Sequence, residues 1–427
     1  MTKITTKELH QRLGDPELLI VDLRPMAAFN GWRLRGEKRG GHIRGALACP
    51  QEWLNGLEVL DIKALLTSKG ITPDKTVVVY GYKRAVSATV ADMLTNLGYG
   101  RVCAYEDGLS TWAQDENLPM DRLPNYHKLV YPGWLRQLID GGQPDTYPGG
   151  EFAIFHVNFG VPEEYAAGHI PGAMHLDTNT LESEQTWNRR SAEELDAALR
   201  AHGIHRDKMI VLYGRDSEGD TDELKPGQMA GQIAATRAAA ILMYAGVEDV
   251  RLLDGGYGAW LKAGYEVEME WREPTPVEST GLQIPTRSGF FVDTEEAKEL
   301  LKDHNGMLVS IRSWPEYTGE VSGYDYIAPS GRIPGAVWGN CGTDAYHMQH
   351  YRNIDNTMRD FHEIEANWKE ADITPDKRVA FYCGTGWRAS ETFIYAHLMG
   401  WKRVAIYDGG WFEWIQDPSN PIESGQP

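Results

Sequence analysis

Cysteine is scarce in this sequence of 427 residues, which contains only four, and no two of them form a CxxC pair. A disulfide framework or a zinc knuckle is therefore not expected, since both need closely spaced thiols. Basic residues are also in deficit, because 42 Lys and Arg stand against 61 Asp and Glu, for a formal net charge of −19. This charge argues against nucleic acid and anionic membrane surfaces as general partners.

Long hydrophobic runs are missing as well. The apolar segments, such as 76–80 and 209–213, have the length of a strand, whereas a membrane-spanning helix needs about 20 apolar residues. Residues 1–8 contain no apolar secretion core, so we expect a cytoplasmic protein, with a removed leader and periplasmic export as the alternative. With 42% hydrophobic residues and 14 tryptophans, the chain has enough apolar side chains for several folded cores.

One pentapeptide occurs three times along the chain. It is His-Ile-Arg-Gly-Ala at 42–46, His-Ile-Pro-Gly-Ala at 169–173 and Arg-Ile-Pro-Gly-Ala at 332–336. Each copy lies between two short apolar strands, and an alanine-rich helical stretch, a third strand and an Asp-Gly turn follow. Three such series in one order indicate a triplicated unit. Strands that alternate with helices predict an α/β fold in which each unit is a mainly parallel sheet flanked by helices.

Proline-containing linkers near 123–125 and across 273–276 separate the units, which we place at 1–124, 125–276 and 277–427. From the end of the second strand to the Asp-Gly turn, the first unit needs 26 residues, the third 25 and the second 40. The second unit therefore carries an insertion of about 15 residues, which we assign to the acidic segment 217–232.

The three units differ where the second strand ends. Gly81 and Gly214 occupy this position in the first two units, whereas the third has Cys383, followed by Gly-Thr-Gly-Trp and Arg388. The glycines permit a tight turn and a helix is predicted to begin near Arg388, so main-chain N–H groups and the helix N-terminus converge there. Such surroundings favour the thiolate form of a cysteine. We therefore predict that Cys383 is a nucleophile and that the first two units are inactive; a buried structural cysteine is the alternative.

The spacing between Cys383 and Arg388 bears on the chemistry. Four residues separate them, one fewer than in the loop with which cysteine phosphatases cradle a tetrahedral phosphate. The shorter loop better suits a single additional sulfur atom on the thiolate. It therefore favours persulfide chemistry, and makes a phosphatase or arsenate reductase the less favoured hypothesis.

Together these motifs resemble the rhodanese superfamily of sulfurtransferases. The resemblance rests on the repeated pentapeptide, the Asp-Gly-Gly turns at 254–256 and 408–410, and the loop 383–388, and it extends over nearly the whole chain. It implies three tandem rhodanese-like domains, of which only the last is active. It also implies that Cys383 takes a sulfane sulfur from a donor and passes it to an acceptor. Such covalent catalysis needs neither a metal nor an organic cofactor.

Thiosulfate is the predicted donor, and 3-mercaptopyruvate is the alternative within the same class. The mercaptopyruvate enzymes have a threonine where this chain has Arg388, and the segment 315–319, which aligns with their substrate-binding arginine, contains none. Because both donors are small anions, we predict that Arg312, Arg388 and Arg332 bind the substrate; for Arg312, pairing with an acid of its own domain is the alternative. The expected acceptor is cyanide or a thiol, including that of a protein such as thioredoxin.

The remaining loop residues have expected roles of their own. Gly384 and Gly386 form the turn, and Thr385 donates a hydrogen bond to the persulfide or rigidifies the turn. Trp387 forms a wall of the pocket, with a role in packing alone as the alternative. Cys341 is expected to be a spectator thiol, with a resolving thiol or internal sulfur acceptor as the alternative. A hypothesis of another class is a sulfur-relay module that docks a protein acceptor, with the acidic segment of the second unit as its docking element.

Overall fold

The computed structural model describes residues 2–160, 162–215 and 231–427. They fold, as predicted, into α/β units, each with a five-stranded parallel sheet and flanking helices. The predicted insertion 217–232 lies outside the described residues, except for Gly231 and Gln232, which begin a helix. Within the described ranges, none of the helices has both the length and the hydrophobicity that crossing a membrane requires.

The chain forms two compact bodies, Met1–His127 and Lys128–Pro427. The first body contains one unit. Its strands are β1 (Thr2–Ile4), β2 (Leu18–Asp22), β3 (His42–Ile43), β4 (Ala46–Ala48), β5 (Thr76–Tyr80), β6 (Val102–Tyr105) and β7 (Met120–Asp121). Its helices are α1 (Thr6–Gln11), α2 (Met26–Asn30), α3 (Gln51–Leu54), α4 (Val59–Ser68), α5 (Arg84–Asn96) and α6 (Gly108–Gln114). The parallel sheet has the order β1-β6-β5-β2-β4, and β3 pairs with β7 in antiparallel fashion.

The second body contains the other two units. The strands of the middle unit are β8 (Leu129–Val130), β9 (Phe152–Asn158), β10 (Met174–Asp177), β11 (Met209–Tyr213) and β12 (Val250–Leu253), and its helices are α7 (Pro132–Ile139), α8 (Pro162–Ala166), α9 (Ala192–Ala201), α10 (Gly231–Ala245) and α11 (Gly256–Lys262). The strands of the last unit are β13 (Phe291–Val292), β14 (Gly306–Ser310), β15 (Val337–Trp338), β16 (Arg378–Tyr382) and β17 (Val404–Tyr407). Its helices are α12 (Thr294–Lys302), α13 (Trp314–Thr318), α14 (Phe361–Glu370), α15 (Trp387–Leu398) and α16 (Gly410–Trp414).

The two sheets of the second body have the orders β10-β9-β11-β12-β8 and β13-β17-β16-β14-β15. If the strands of each parallel sheet are numbered within their own unit, all three sheets share the order 1-5-4-2-3. The loops that follow the strands therefore lie at the same edge in every unit, which is where parallel sheets place functional residues. In the last unit, this edge carries the loop that begins at Cys383.

The repeated pentapeptide has the same structural role in each unit. A tyrosine ends β5, β11 and β16, the equivalent strands of the three units. Its hydroxyl accepts a hydrogen bond from the main-chain N–H of the pentapeptide isoleucine. The pairs are Tyr80 with Ile43 at 3.2 Å, Tyr213 with Ile170 at 3.0 Å, and Tyr382 with Ile333 at 3.5 Å. The first pentapeptide residue forms an antiparallel bridge to a late segment of its unit: His42 with Asp121, His169 with Glu268, and Arg332 with Glu423. The repeat thus closes each unit by tying its chain end to its sheet.

The middle and last units pack together through α10 and α15. Both helices are buried along nearly their whole length. A helix with little polar surface must be covered on all sides, and each of these helices covers the other. Because α15 begins directly after the Cys383 loop, this packing places the middle unit beside the loop.

Candidate active site

The Cys383 loop connects β16 to α15, which begins at Trp387, one residue before the predicted start. The Cys383 side chain is buried. Its carbonyl oxygen accepts a hydrogen bond from the N–H of Trp411 at 2.8 Å, and the carbonyl of Gly384 accepts one from Phe412 at 2.9 Å. The carbonyl and N–H of a trans peptide point in opposite directions. The N–H groups of Gly384 and Thr385 therefore point away from α16, as stabilisation of a negatively charged sulfur requires.

The two loop glycines are required by close packing. A Cβ at Gly384 would lie 2.3 Å from the ring of Tyr324, so this ring lies directly against the loop. Gly386 has a φ of +81°, and a Cβ there would lie 2.9 Å from the carbonyl oxygen of Asp408. Neither position accommodates a side chain without displacing its neighbours.

Arg388 is buried and paired within its domain, while its predicted contact with the donor stays a prediction. Its two terminal nitrogens donate to both carboxylate oxygens of Glu316, at 2.9 and 2.8 Å, and Nη2 also donates to the Tyr324 hydroxyl at 2.7 Å. Burial alone would raise the pKa of Glu316, but the charges of Arg388 and Arg312 outweigh it and lower this pKa to about 2. The positive charge of Arg388 is thus compensated inside the protein.

The other two predicted substrate arginines are also engaged within the last unit. Arg312 is buried and donates to Glu316 at 3.3 Å and to two carbonyl oxygens, so the structure shows the alternative pairing with an acid of the same domain. Arg332 lies 3.4 Å from Glu423 and donates to the carbonyl of Gly425 at 2.7 Å. A buried cation is costly unless it is paired, and this cost explains why each of these buried arginines has a carboxylate partner.

Aromatic residues contact the Cys383 loop: the Tyr324 ring lies against Gly384, the Tyr326 hydroxyl lies near the Thr385 side chain, and the Phe412 N–H donates to the Gly384 carbonyl. We call the group Trp187, Tyr324, Tyr326 and Phe412 the aromatic rim. The ring centroid of Tyr326 lies 4.7 Å from that of Trp187 and 5.3 Å from that of Tyr324. The ring centroids of Trp187 and Phe412 are 5.1 Å apart. Tyr326 is 48% exposed, whereas Trp187, Tyr324 and Phe412 are partly buried. Trp187 belongs to the middle unit and has a positive φ of 57°, a strained conformation for a bulky residue.

The rhodanese-like domain family matches residues 5–115, 132–263 and 293–417. The chain belongs to the rhodanese family. It is 41% identical over 424 residues to the thiosulfate sulfurtransferase YnjE of Escherichia coli K12, which covers 99% of this chain and 92% of that protein. It is also 29% identical over 285 residues to the sulfur carrier protein TtuD of Thermus thermophilus, covering 61% of this chain and 87% of that one.

Solved structures of EanB share the whole architecture. Wild-type EanB has a TM-score of 0.97 and 47% identity, and covers 100% of this chain and 98% of its own. The anaerobic ergothioneine biosynthesis enzyme from Chlorobium limicola, in complex with its natural substrate trimethyl histidine, has a TM-score of 0.96 and 47% identity, with 100% of both chains covered. The present chain is therefore a three-domain rhodanese sulfurtransferase.

In this rhodanese, the middle domain contacts the catalytic loop directly. The indole Nε1 of Trp387 donates to Glu182 of the middle domain at 3.1 Å, and its ring lies 5.7 Å from Phe159. Trp387 is therefore held between the two domains. Thr385 is buried, and its side chain is within hydrogen-bonding reach of the Tyr326 hydroxyl.

Cys341 lies closer to the site than its place in the sequence suggests. Its sulfur is 3.7 Å from Nη1 of Arg388 and donates to the carbonyl of His347 at 3.3 Å. Burial raises the pKa of Cys341 to about 12, so this thiol is neutral at physiological pH. A neutral, buried thiol is a poor nucleophile, which favours the spectator role.

The sequence-based analysis missed Glu316 and the aromatic rim. For Glu316 there was a usable pattern, because Ser313-Trp-Pro-Glu316 is a capping box at the start of α13. That pattern predicts an ordered carboxylate near Arg312, and from it a paired arginine. The rim residues had no comparable pattern, since they come from separate segments of two domains.

Proposed function

We propose that this rhodanese takes sulfane sulfur from thiosulfate onto Cys383 and passes it to a thiophilic acceptor. The Cys383 thiolate attacks the outer sulfur of thiosulfate, the S–S bond of the donor breaks, and sulfite leaves with the electron pair. The acceptor then attacks the terminal sulfur of the persulfide and releases the thiolate. Splitting the transfer through a covalent intermediate is nucleophilic catalysis.

The observation that carries this proposal is the orientation of the loop. The carbonyl oxygens of Cys383 and Gly384 are held by α16, so the loop N–H groups face the opposite side, where a persulfide sulfur would extend. Thiosulfate as donor is supported by the 41% identity to a thiosulfate sulfurtransferase over nearly the full chain. The alternative donor, 3-mercaptopyruvate, would use the same nucleophile.

Intact-protein mass spectrometry after incubation with each donor tests the proposal. With thiosulfate, wild type should gain about 32 Da, one sulfur atom, and lose it again with cyanide. Cys383→Ser should gain nothing, whereas Cys103→Ser, which removes a thiol of the first domain, should behave as wild type. A gain with 3-mercaptopyruvate alone would overturn the choice of donor, and a gain that survives in Cys383→Ser would overturn the nucleophile.

For the acceptor, the aromatic rim favours a second, more specific candidate, trimethyl histidine. Arg388 and Arg312 are paired with the same carboxylate, that of Glu316, and Arg332 lies beside Glu423, whereas Tyr326 of the aromatic rim presents an exposed ring. Aromatic faces attract quaternary ammonium groups through cation–π interactions. The 47% identity to EanB, solved with trimethyl histidine, agrees with such an acceptor.

Calorimetric titration with trimethyl histidine and with histidine separates this acceptor from a thiol acceptor. Wild type should bind the trimethylated compound at least ~10-fold more tightly, because only that compound carries a quaternary ammonium. Tyr326→Ala should remove the difference, and Trp271→Ala, at a partly exposed tryptophan outside the rim, should keep it. Equal affinities in wild type would exclude trimethyl histidine and leave cyanide, small thiols and reduced thioredoxin to be compared as acceptors.

A further inference from the structure

We propose that Arg237, a residue of the inactive middle domain, is a positioning residue for the Cys383 loop. This proposal rests on the proposed function only in taking Cys383 as the nucleophile. Arg237 lies on α10, and its side chain has no solvent exposure. A fully buried guanidinium is kept in place by its partners, and each hydrogen-bond partner of Arg237 leads to the active site.

The first two partners are carboxylates. Nε of Arg237 donates to Glu182 at 2.8 Å, and Nη2 donates to Asp408 of the catalytic domain at 2.8 Å. The same Glu182 oxygen accepts the indole N–H of Trp387, the fourth residue after Cys383. Asp408 begins the Asp-Gly-Gly turn, which leads into α16, the helix that holds the carbonyl oxygens of Cys383 and Gly384. Arg237 therefore holds the loop from both of its ends.

The third partner is the main chain of Trp187, a residue of the aromatic rim. Nη2 of Arg237 also donates to the carbonyl oxygen of Trp187 at 2.7 Å. Trp187 has a positive φ, and its ring lies against Tyr326 and Phe412. A strained residue persists only where its surroundings determine its conformation. This hydrogen bond is one such determinant, so Arg237 couples the rim to the loop.

The guanidinium also touches the loop itself. A Cβ at Gly386 would lie 3.1 Å from Nη1 of Arg237, so the left-handed turn of the loop packs closely against this nitrogen. Among the described residues, Nη1 has no hydrogen-bond partner. Its contact with the loop is therefore one of shape, which a shorter or uncharged side chain would not reproduce.

The arrangement is not symmetric between the two domains. Glu391 of α15 stands 17 residues before its Asp-Gly-Gly turn, as Arg237 does in the middle domain. It pairs with Arg352 at 2.8 and 2.5 Å, so acid and base are exchanged relative to the Glu182–Arg237 pair. The Asp-Gly-Gly turn of the middle domain begins at Asp254, which accepts the main-chain N–H of Met358 at 2.7 Å. Asp408 instead forms ion pairs with both Arg237 and Arg189. Buried Arg237 and partly exposed Arg189 thus converge on the turn beside Cys383, in the domain that has the nucleophile.

Arg237→Met tests this role, with Arg251→Met as the matched control. Arg251 is a buried arginine of the same domain, its side chain 2% exposed, and it pairs with Asp249 near the opposite ends of the strands. We expect Arg237→Met to lower kcat with thiosulfate and cyanide at least ~10-fold with little change in KM, because a misplaced loop slows the reaction more than it weakens binding. Arg251→Met should leave both constants within about 2-fold of wild type. Arg237→Lys keeps the charge and should recover part of kcat. If Arg237→Met does not fold, Arg237→Lys takes its place in every comparison with Arg251→Met.

Hydrogen exchange of the peptide containing 384–388 supplies a readout that needs no donor. Exchange there should be faster in Arg237→Met than in wild type or in Arg251→Met. Unchanged exchange together with unchanged kcat would overturn the proposal, as would equal losses in both variants. If wild type acquires no sulfur from any donor, the proposed function fails, and the exchange comparison still decides the role of Arg237.

Discussion

The carboxylate of Glu316 accepts hydrogen bonds from both terminal nitrogens of Arg388, at 2.9 and 2.8 Å, beneath the Cys383 loop. Both side chains are buried, and Arg312 approaches the same carboxylate at 3.3 Å. Two cations therefore share one anion in the core of the catalytic domain. This arrangement makes Glu316 the carboxylate that holds both buried guanidinium groups in place.

Glu316→Gln should destabilise the protein by about 3–5 kcal/mol, because it leaves two buried guanidinium groups without their anion. Urea denaturation at pH 7 measures the loss, with Glu320→Gln as the control, since Glu320 lies in the same segment but is exposed. The control should change the free energy of unfolding by no more than about 0.5 kcal/mol. A loss for Glu316→Gln as small as that of the control would contradict the buried ion pair.

The effect of Glu316 should depend on pH in a defined direction. Arg388 and Arg312 outweigh the effect of burial and lower the pKa of Glu316 from the usual 4.5 to about 2 in the folded protein. A lowered carboxyl pKa contributes stability that is present above 4.5 and is lost as the pH falls toward 2. The difference in unfolding free energy between wild type and Glu316→Gln should therefore be constant from pH 7 to 5 and shrink below it. A difference that grows on acidification would refute the assignment.

Asp254→Asn should show the opposite dependence. Burial raises the pKa of Asp254 from 3.8 to about 8, against the main-chain N–H of Met358. A raised carboxyl pKa contributes stability that is present below 3.8 and is lost as the pH rises through 8. The variant cannot ionise, so its melting temperature relative to wild type should rise from pH 4 to 8 and level off above that. A parallel pH dependence of the two proteins would show that Asp254 is not buried as a neutral acid.

Gly386→Ala should abolish persulfide formation, whereas Gly264→Ala should not. Both glycines have left-handed backbones, with φ of +81° and +76°, but the space around Gly264 is open. The backbone strain, of order 1–3 kcal/mol, is therefore common to both variants. At Gly386 a Cβ would also lie 2.9 Å from the Asp408 backbone, which forces the loop to move. Urea denaturation measures the backbone strain, and the mass gain with thiosulfate measures the displacement of the loop. A persulfide on Gly386→Ala would contradict the displacement.

Local patterns were sufficient to predict the sheets and the position of Cys383 after a strand. The strand ending at Tyr382, the cysteine and the two glycines are neighbours in the chain, and their conformation depends on neighbours. The partner of Arg388 is 72 residues away in the chain, so no local pattern joins the two. The position of Arg388 at the loop follows from the sequence, whereas its pairing with Glu316 does not.

By itself, the sequence determined the three parallel sheets and the placing of Cys383 after a strand, because strand period, glycine turns and repeat order are local properties. The tertiary structure alone decided which charges are compensated and which aromatic residues contact the loop. Glu316 reaches Arg388, and Trp187 reaches Tyr326, only once separate segments pack together. The energy of a buried charge depends on the groups within a few ångströms, and those groups are chosen by the fold rather than by position in the chain.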